Sequence, residues 1–173
     1  RSGRFTLQAR SDVSSMKGKV ALVTGASSGI GRSTALAFAD RGASVALAAR
    51  REDELAALAA EIEAAGGEAT FVQTDVSVAD DVERMVAHTI DKFGRLDFAV
   101  NNAGVEGEIQ GIADFSEDAW DKVLDINVKG TFLCLKYEAR SMLEGGHGGA
   151  IVNVGSVNSF LGFPGGAAYV ASK

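Results

Sequence analysis

The sequence has almost none of the residues that stiffen or cross-link a chain: of 173 residues, one is cysteine and one is proline. A lone cysteine, Cys134, forms no internal disulfide and supplies no cysteine-based metal site; it fits a reducing, cytoplasmic compartment. Basic residues are outnumbered, 17 against 23 acidic, for a formal net charge of −6. Three of the arginines fall at Arg1, Arg4 and Arg10, so the remaining body is more acidic still, which argues against nucleic acid as a partner. No apolar run reaches the roughly 18 residues of a membrane span, so no membrane partner is expected. No cluster of metal-ligating side chains stands out, and no metal is expected in the chemistry. There is no low-complexity segment and no internal repeat beyond an alternation of strands and helices.

What is present is glycine, 21 residues, and a hydrophobic content of 46%, enough for one well-cored domain. Arg1 to Ser15 have no hydrophobic period, are rich in arginine and serine, and precede Met16. They read as a leader or tag remnant, a transit-peptide remnant being the alternative, which leaves 16–173 as the folded domain. Val20 to Thr24 is a short apolar run closed by Gly25, as expected of a buried strand, and Ile30 to Asp40 has a helical pattern. Ser44 to Ala49, Ala69 to Gln73, Leu96 to Val100 and Ala150 to Val154 repeat the strand signature. Glu52 to Ala65, a segment carrying Val82, Met85, Val86, Ile90 and Phe93, and a long stretch from Glu117 to about Leu143 repeat the helical one. Ser116 is the expected N-cap of the long helix, with Trp120, Val123, Leu124, Asn127, Val128, Thr131 and Leu135 along one face.

Five strands alternating with helices predict an α/β fold: a doubly wound, Rossmann-type parallel sheet in the order 3-2-1-4-5. Ligands bind such sheets at the carboxyl ends of the strands. Three segments fall there: Gly25-Ala26-Ser27-Ser28-Gly29-Ile30-Gly31 after the first strand, Asn101-Asn102-Ala103-Gly104 after the fourth, and Gly155-Ser156 after the fifth. The first spaces its glycines so that backbone can approach a pyrophosphate at a helix N-terminus. At the end of the chain, Tyr169 and Lys173 are four residues apart and share a helix face. At an effective dielectric of about 20, a positive charge about 5 Å from a phenolate is worth roughly 3 kcal/mol to it, which favours proton transfer.

Together these motifs and Asn127 resemble the short-chain dehydrogenase/reductase family over Met16 to Lys173. The resemblance implies a nicotinamide-dependent oxidoreductase exchanging hydride with a small-molecule ketone or secondary alcohol, and a homo-oligomer, dimer or tetramer. It implies Tyr169 as acid/base, Ser156 as the partner of the substrate oxygen, and Lys173 as the neighbour that activates the phenol and binds the nicotinamide ribose. Asn127 would hold a water near the lysine. Gly25, Ser27, Ser28, Gly29, Ile30 and Gly31 would cradle the cofactor phosphates, and Asp75 and Val76 would border the adenine, although an aspartate after a strand is equally an ordinary helix-start residue. Asn102, Ala103, Gly104, Tyr169 and Lys173 would lie on the ribose and nicotinamide side, with Asn101 tying adjacent strands. Where NAD-preferring members carry an acid at the end of the second strand, this chain has Ala49 followed by Arg50 and Arg51, a pattern that favours NADP(H). Phe160, Leu161 and Phe163 lean toward an apolar substrate.

Family members continue past the lysine through more of a helix, at least one more strand and a substrate-covering segment. The chain is therefore expected to be incomplete at its C-terminus, lacking C-terminal strands and helices, and not to turn over by itself. Two rival readings stay open at this point: a non-catalytic dinucleotide-binding or sensing module, or inactive truncated form, and an assembly subunit docking through the outer face of the long helix.

Overall fold

The computed structural model describes residues 15–173, so the leader assigned to residues 1–15 lies outside the described residues apart from Ser15. Five strands, β1 (Val20–Thr24), β2 (Ser44–Ala49), β3 (Glu68–Gln73), β4 (Phe98–Asn101) and β5 (Ala150–Asn153), alternate with helices α1 (Gly29–Ala39), α2 (Glu52–Ala64), α3 (Ala79–Phe93), α4 (Glu117–Leu124) and α5 (Gly130–Glu144), and α6 (Ala167–Ser172) follows. All pairings are parallel and the order is β3-β2-β1-β4-β5. The predicted order is the observed one.

The alternation of side chains along each strand divides the core in two. Leu22, Ala46, Ala48 and Ala99 face α3 and α5, where Val82, Met85, Leu133 and Cys134 close over them. Val23, Val45, Leu47 and Val100 face α1 and α2, against Ala35, Leu55, Leu58 and Ile62. Central strands buried on both sides must be apolar throughout, which is why β1 reads Val-Ala-Leu-Val with no polar alternation. Glu52, Asp53 and Glu54 occupy the first turn of α2, where carboxylates complement the helix dipole, and Gly94 ends α3 at φ 76°.

The long helix expected from Glu117 is not uniform. Ser116 caps α4, its Oγ accepting from the Ala119 N–H at 3.0 Å, but Asp125–Lys129 forms a π-helical turn before α5 begins. The Gly130 N–H reaches back to the Asp125 carbonyl, and Ile126 and Asn127 are buried within the turn. The inward face runs Val123, Ile126, Asn127, Gly130, Leu133, Cys134, Glu138 and Met142. Val128, expected on that face, is instead 47% exposed.

At the end of the sheet opposite the carboxyl termini, Asp97 is almost fully buried and accepts from Arg95 Nε at 2.7 Å, Lys19 Nζ at 3.0 Å and the Val20 N–H at 3.0 Å. Burial alone would raise its carboxyl, but bonds from Arg95, Lys19 and Val20 outweigh that and hold it at about 2. This cluster fixes β1 against β4, and the crevice where the chain order reverses opens at the other end of that pair.

Candidate active site

A cleft of about 670 Å³ opens over the carboxyl ends of β1, β2, β3 and β4, a volume typical of a small-molecule or cofactor site. Its floor is the turn after β1. Gly25 and Gly29 adopt φ 65° and 55°, a region that favours glycine. Gly31 is needed for space: a Cβ there would lie 2.5 Å from Asn102 Nδ2 and 2.8 Å from the Gly25 carbonyl carbon. It does not line the cleft, but it lets the start of α1 press against the turn that does.

Thr24 fastens this floor to the neighbouring strand. Its Oγ accepts from the Asn102 N–H at 3.1 Å and the Ala103 N–H at 3.2 Å, and donates to the Val100 carbonyl at 3.4 Å. The Asn102 side chain donates to the carbonyls of Thr24 and Gly25, at 3.1 and 3.3 Å. Asn102 therefore shapes the glycine turn as well as lining the cleft. Thr24 itself was not a sequence candidate; a buried polar residue at a strand end, 1% exposed, is the signal that marks it.

Ser28 is the N-cap of α1, yet its hydroxyl makes no capping bond. It accepts instead from Arg51 Nη2 at 2.8 Å, alongside Ser27 Oγ at 2.9 Å. The first-turn N–H groups of α1 are thereby left without a side-chain cap, the arrangement that suits an anion. Arg51 also pairs with Glu54 at 3.5 Å. Among the described residues the Arg50 guanidinium has no partner; only its carbonyl is used, accepting from Gln73 Nε2 at 2.9 Å. Ala49, Arg50 and Arg51 all line the cleft, and no carboxylate stands at the end of β2. Asp75 spends one oxygen on Ser77, accepting from its N–H at 3.0 Å and hydroxyl at 2.7 Å, and leaves the other available.

Of the sequence candidates, Gly25, Ser27, Ser28, Gly29, Ile30, Arg50, Arg51, Asp75, Val76, Asn102, Ala103 and Gly104 line the cleft. Thr74, Val105 and Ile126 also line it and were not anticipated. The glycine turn, the open helix start and the paired arginines fit a dinucleotide phosphate.

The second half of the site begins at Gly104. A Cβ on this residue would lie 3.2 Å from Asn127 Oδ1 and 3.4 Å from Lys173 Nζ, so the β4 loop, the π turn and α6 converge there. The Asn127 side chain uses its oxygen and both amide hydrogens: Oδ1 accepts from the Val105 N–H at 2.8 Å, and Nδ2 donates to the Val105 carbonyl at 2.9 Å and to Ser172 Oγ at 2.8 Å. Lys173 Nζ donates to the Val154 carbonyl at 3.3 Å and stands 5.8 Å from the centre of the Tyr169 ring. Tyr169 is half-buried, and among the described residues its hydroxyl has no hydrogen-bond partner. Ser156 follows β5 and caps the short turn Val157–Ser159, its Oγ accepting from the Asn158 N–H at 3.1 Å. Tyr169, Lys173, Asn127 and Ser156 thus sit beside the cleft rather than in its lining. Cys134 is buried in the core, its thiol pushed well above the ordinary range by burial and then by Glu138.

No helix among the described residues is long and apolar enough to cross a membrane. The short chain dehydrogenase family model matches residues 19–173. A 3beta-hydroxysteroid dehydrogenase of Mediterraneibacter gnavus is 46% identical over 155 residues, covering 90% of this chain and 55% of the relative. A 3-oxoacyl-[acyl-carrier-protein] reductase of Synechocystis sp. is 43% identical over 162 residues, covering 93% and 65%. Among solved structures, NAD+-bound xylitol dehydrogenase superposes with a TM-score of 0.88 at 38% identity, covering 91% of this chain and 60% of that one. The chain thus spans between about half and two thirds of the length of these relatives. With the family model covering nearly all of the described residues and the same fold in a close structural relative, the chain belongs to the short chain dehydrogenase family.

Proposed function

We propose that this chain forms the cofactor-binding and catalytic portion of an oxidoreductase that uses NADP(H) in preference to NAD(H) and interconverts a ketone and a secondary alcohol. The observation that carries the reading is the convergence of Asn127 and Lys173 on Gly104, at the rim of the glycine-floored cleft. A bound nicotinamide supplies or accepts the hydride. The chain's own residues do the rest. The turn from Gly25 to Gly31 and the open start of α1 hold the phosphates. Arg50 and Arg51, with Ala49 in place of a carboxylate, favour a 2′-phosphate, because they add positive charge where a carboxylate would repel it.

In reduction, the Tyr169 hydroxyl gives its proton to the carbonyl oxygen as that carbon gains hydride, and Ser156 donates a hydrogen bond to the same oxygen. In oxidation the proton returns to the phenolate. Lys173 stabilises the phenolate by its charge. Asn127 fixes the loop and helix between which the lysine lies. Phe160 and Leu161, 89% and 63% exposed, and Ile109 and Ile112, 67% and 72% exposed, offer apolar surface suited to an apolar substrate. A hydrogen bond from the Gln110 N–H to the Gly165 carbonyl at 3.0 Å links the two segments that bear them. A cytoplasmic location and a homo-oligomer belong to the same reading.

The test is a comparison of wild type and Tyr169→Phe, using NADPH and NADH fluorescence titrations beside NADPH consumption with a panel of apolar ketones. The expected result is tighter binding of NADPH than NADH, unchanged NADPH binding in the variant, and loss of consumption. Comparable consumption by Tyr169→Phe would sink the assignment. NADPH binding by wild type without consumption of any ketone would favour a binding module instead.

A further inference from the structure

Glu138 has no exposed surface, although it lies on α5 among Cys134, Leu133 and Met142. Among the described residues no lysine or arginine pairs with it. Its one partner is Asn101, the last residue of β4. The two hydrogens of Asn101 Nδ2 go to Glu138 Oε2 and to Asn153 Oδ1, each at 3.0 Å, Asn153 being the residue opposite on β5. Two buried acceptors then remain with no donor: Asn101 Oδ1 and Glu138 Oε1. An ionised carboxylate only accepts hydrogen bonds, so it would leave both orphaned beside an unpaired buried charge, which protein interiors avoid.

One proton resolves both. A hydrogen on Glu138 Oε1 donates to Asn101 Oδ1 while Asn101 Nδ2 donates to Glu138 Oε2, the two-bond ring that carboxylic acids form with primary amides. We propose that Glu138 is carried as a neutral carboxylic acid in such a ring with the Asn101 amide, and that the ring is a positioning element for the cofactor rim. The connection is short. The Asn101 carbonyl accepts from the Val154 N–H at 2.9 Å, and the next residues, Asn102 to Gly104, are those bonded to Thr24 and packed against Lys173. Opening the ring loosens the ends of β4 and β5 together.

The surroundings agree. β4 and β5 present Asn101 and Asn153, neither ionisable, and α3 turns Val82, Met85, Val86 and Thr89 inward. Among the described residues, the Cys134 thiol, one turn earlier on α5, is an ionisable group that interacts with Glu138, and burial keeps that thiol neutral. Burial is likewise the main influence on Glu138, pushing its carboxyl from 4.5 up to about 7 against the opposing effect of the Asn101 bond. Because the folded value lies above the unfolded one, the stabilising contribution is complete below 4.5 and is lost as pH rises through about 7. Through this group alone the folded-to-unfolded ratio falls by roughly 300-fold across that interval.

Glu138→Gln tests the proposal, since a glutamine amide can reproduce both bonds at any pH. The infrared difference spectrum between wild type and variant at about pH 5.5 is expected to show one buried carboxylic-acid carbonyl band, fading as pH rises through about 7. Thermal midpoint is expected to fall over the same range in wild type and to stay flat in the variant, and NADPH affinity is expected to fall in wild type relative to the variant, where the cofactor's own 2′-phosphate still titrates at about pH 6. Absence of the acid band overturns the proposal, even if the variant does not fold, because the band can be sought in wild type alone. A variant with the wild-type pH dependence overturns it too. The positioning half rests on the NADP reading of the cleft, whereas the spectrum and the thermal midpoint do not. A titrating band with the same pH dependence of NADPH affinity in wild type and variant would overturn that half.

Discussion

Substituting Gly31 by alanine isolates what the glycine turn does, because this residue offers room rather than an unusual backbone conformation. A Cβ at Gly31 would lie 2.5 Å from Asn102 Nδ2 and 2.8 Å from the Gly25 carbonyl carbon, where ordinary contact begins at 3.4 Å. The amide has to retreat by about 0.9 Å, and the Gly25 peptide by more, because its carbonyl oxygen is the atom nearest the added methyl. Moving Asn102 breaks its bonds to the carbonyls of Thr24 and Gly25; moving Gly25 reshapes the floor of the cleft. Overpacking of this kind costs about 1–3 kcal/mol, and a displaced phosphate turn should weaken NADPH binding by at least about tenfold, or about 1.4 kcal/mol. Gly66→Ala is the control: at φ 85° with no protein atom within 4 Å, it loses about 1 kcal/mol from backbone strain alone, at the far end of the sheet from the cleft. Denaturant unfolding and NADPH fluorescence titration on both variants separate the effects. Gly31→Ala should lose stability and affinity, Gly66→Ala stability only. Adding Asn102→Ala to Gly31→Ala should not restore binding, because the Gly25 backbone still blocks the methyl. Wild-type affinity in Gly31→Ala, or full rescue by Asn102→Ala, would refute the reasoning.

At the other end of the sheet, Asp97 has a folded value of about 2, below its ordinary 3.8, so its stabilisation is present above 3.8 and lost as pH falls through about 2. Asp97→Asn should remove about 2 kcal/mol at neutral pH and little at about pH 2, read from urea unfolding at the two conditions; an equal loss at both would exclude the ionic account. For the cofactor, Ala49→Asp combined with Arg50→Ala restores a carboxylate at the end of β2 and removes a cation. It should invert the NADPH-to-NADH affinity ratio in fluorescence titrations, and an unchanged ratio would remove Ala49 and Arg50 from the discrimination.

Much of the molecule was legible in the sequence because parallel strands buried on both faces leave a local trace. Val20 to Thr24 and Ser44 to Ala49 are apolar runs closed by glycine or arginine, and their bounds coincide with β1 and β2. What stayed hidden depends on partners distant in the chain. Arg51 reaches Ser27 and Ser28, 24 and 23 residues away, and Asn101 meets Glu138 across 37. A glutamate two turns into a helix looks solvent-bound until the strand end beneath it is known. The π turn was invisible for a different reason. Val123, Ile126, Asn127, Gly130, Leu133 and Cys134 recur at steps of three and four whether or not one turn is widened, so apolar periodicity does not register the change in backbone bonding.

That widened turn alters what Asn127 can contribute. Read as a motif residue, its amide is the natural holder of a water beside Lys173. In the fold, Oδ1 and both Nδ2 hydrogens are committed to Val105 and Ser172. The side chain is therefore a clamp: it joins the loop after β4, which lines the cleft, to α6, which carries Tyr169 and is followed at once by Lys173. For a water the side chain keeps only the second lone pair of Oδ1, and the main-chain carbonyl already accepts from Thr131 Oγ at 2.7 Å. On the proposed reading of the cleft, a clamp between its rim and the lysine would tie cofactor binding to proton transfer mechanically. Shortening the side chain would release both partners at once, which a residue serving only as a water ligand would not do.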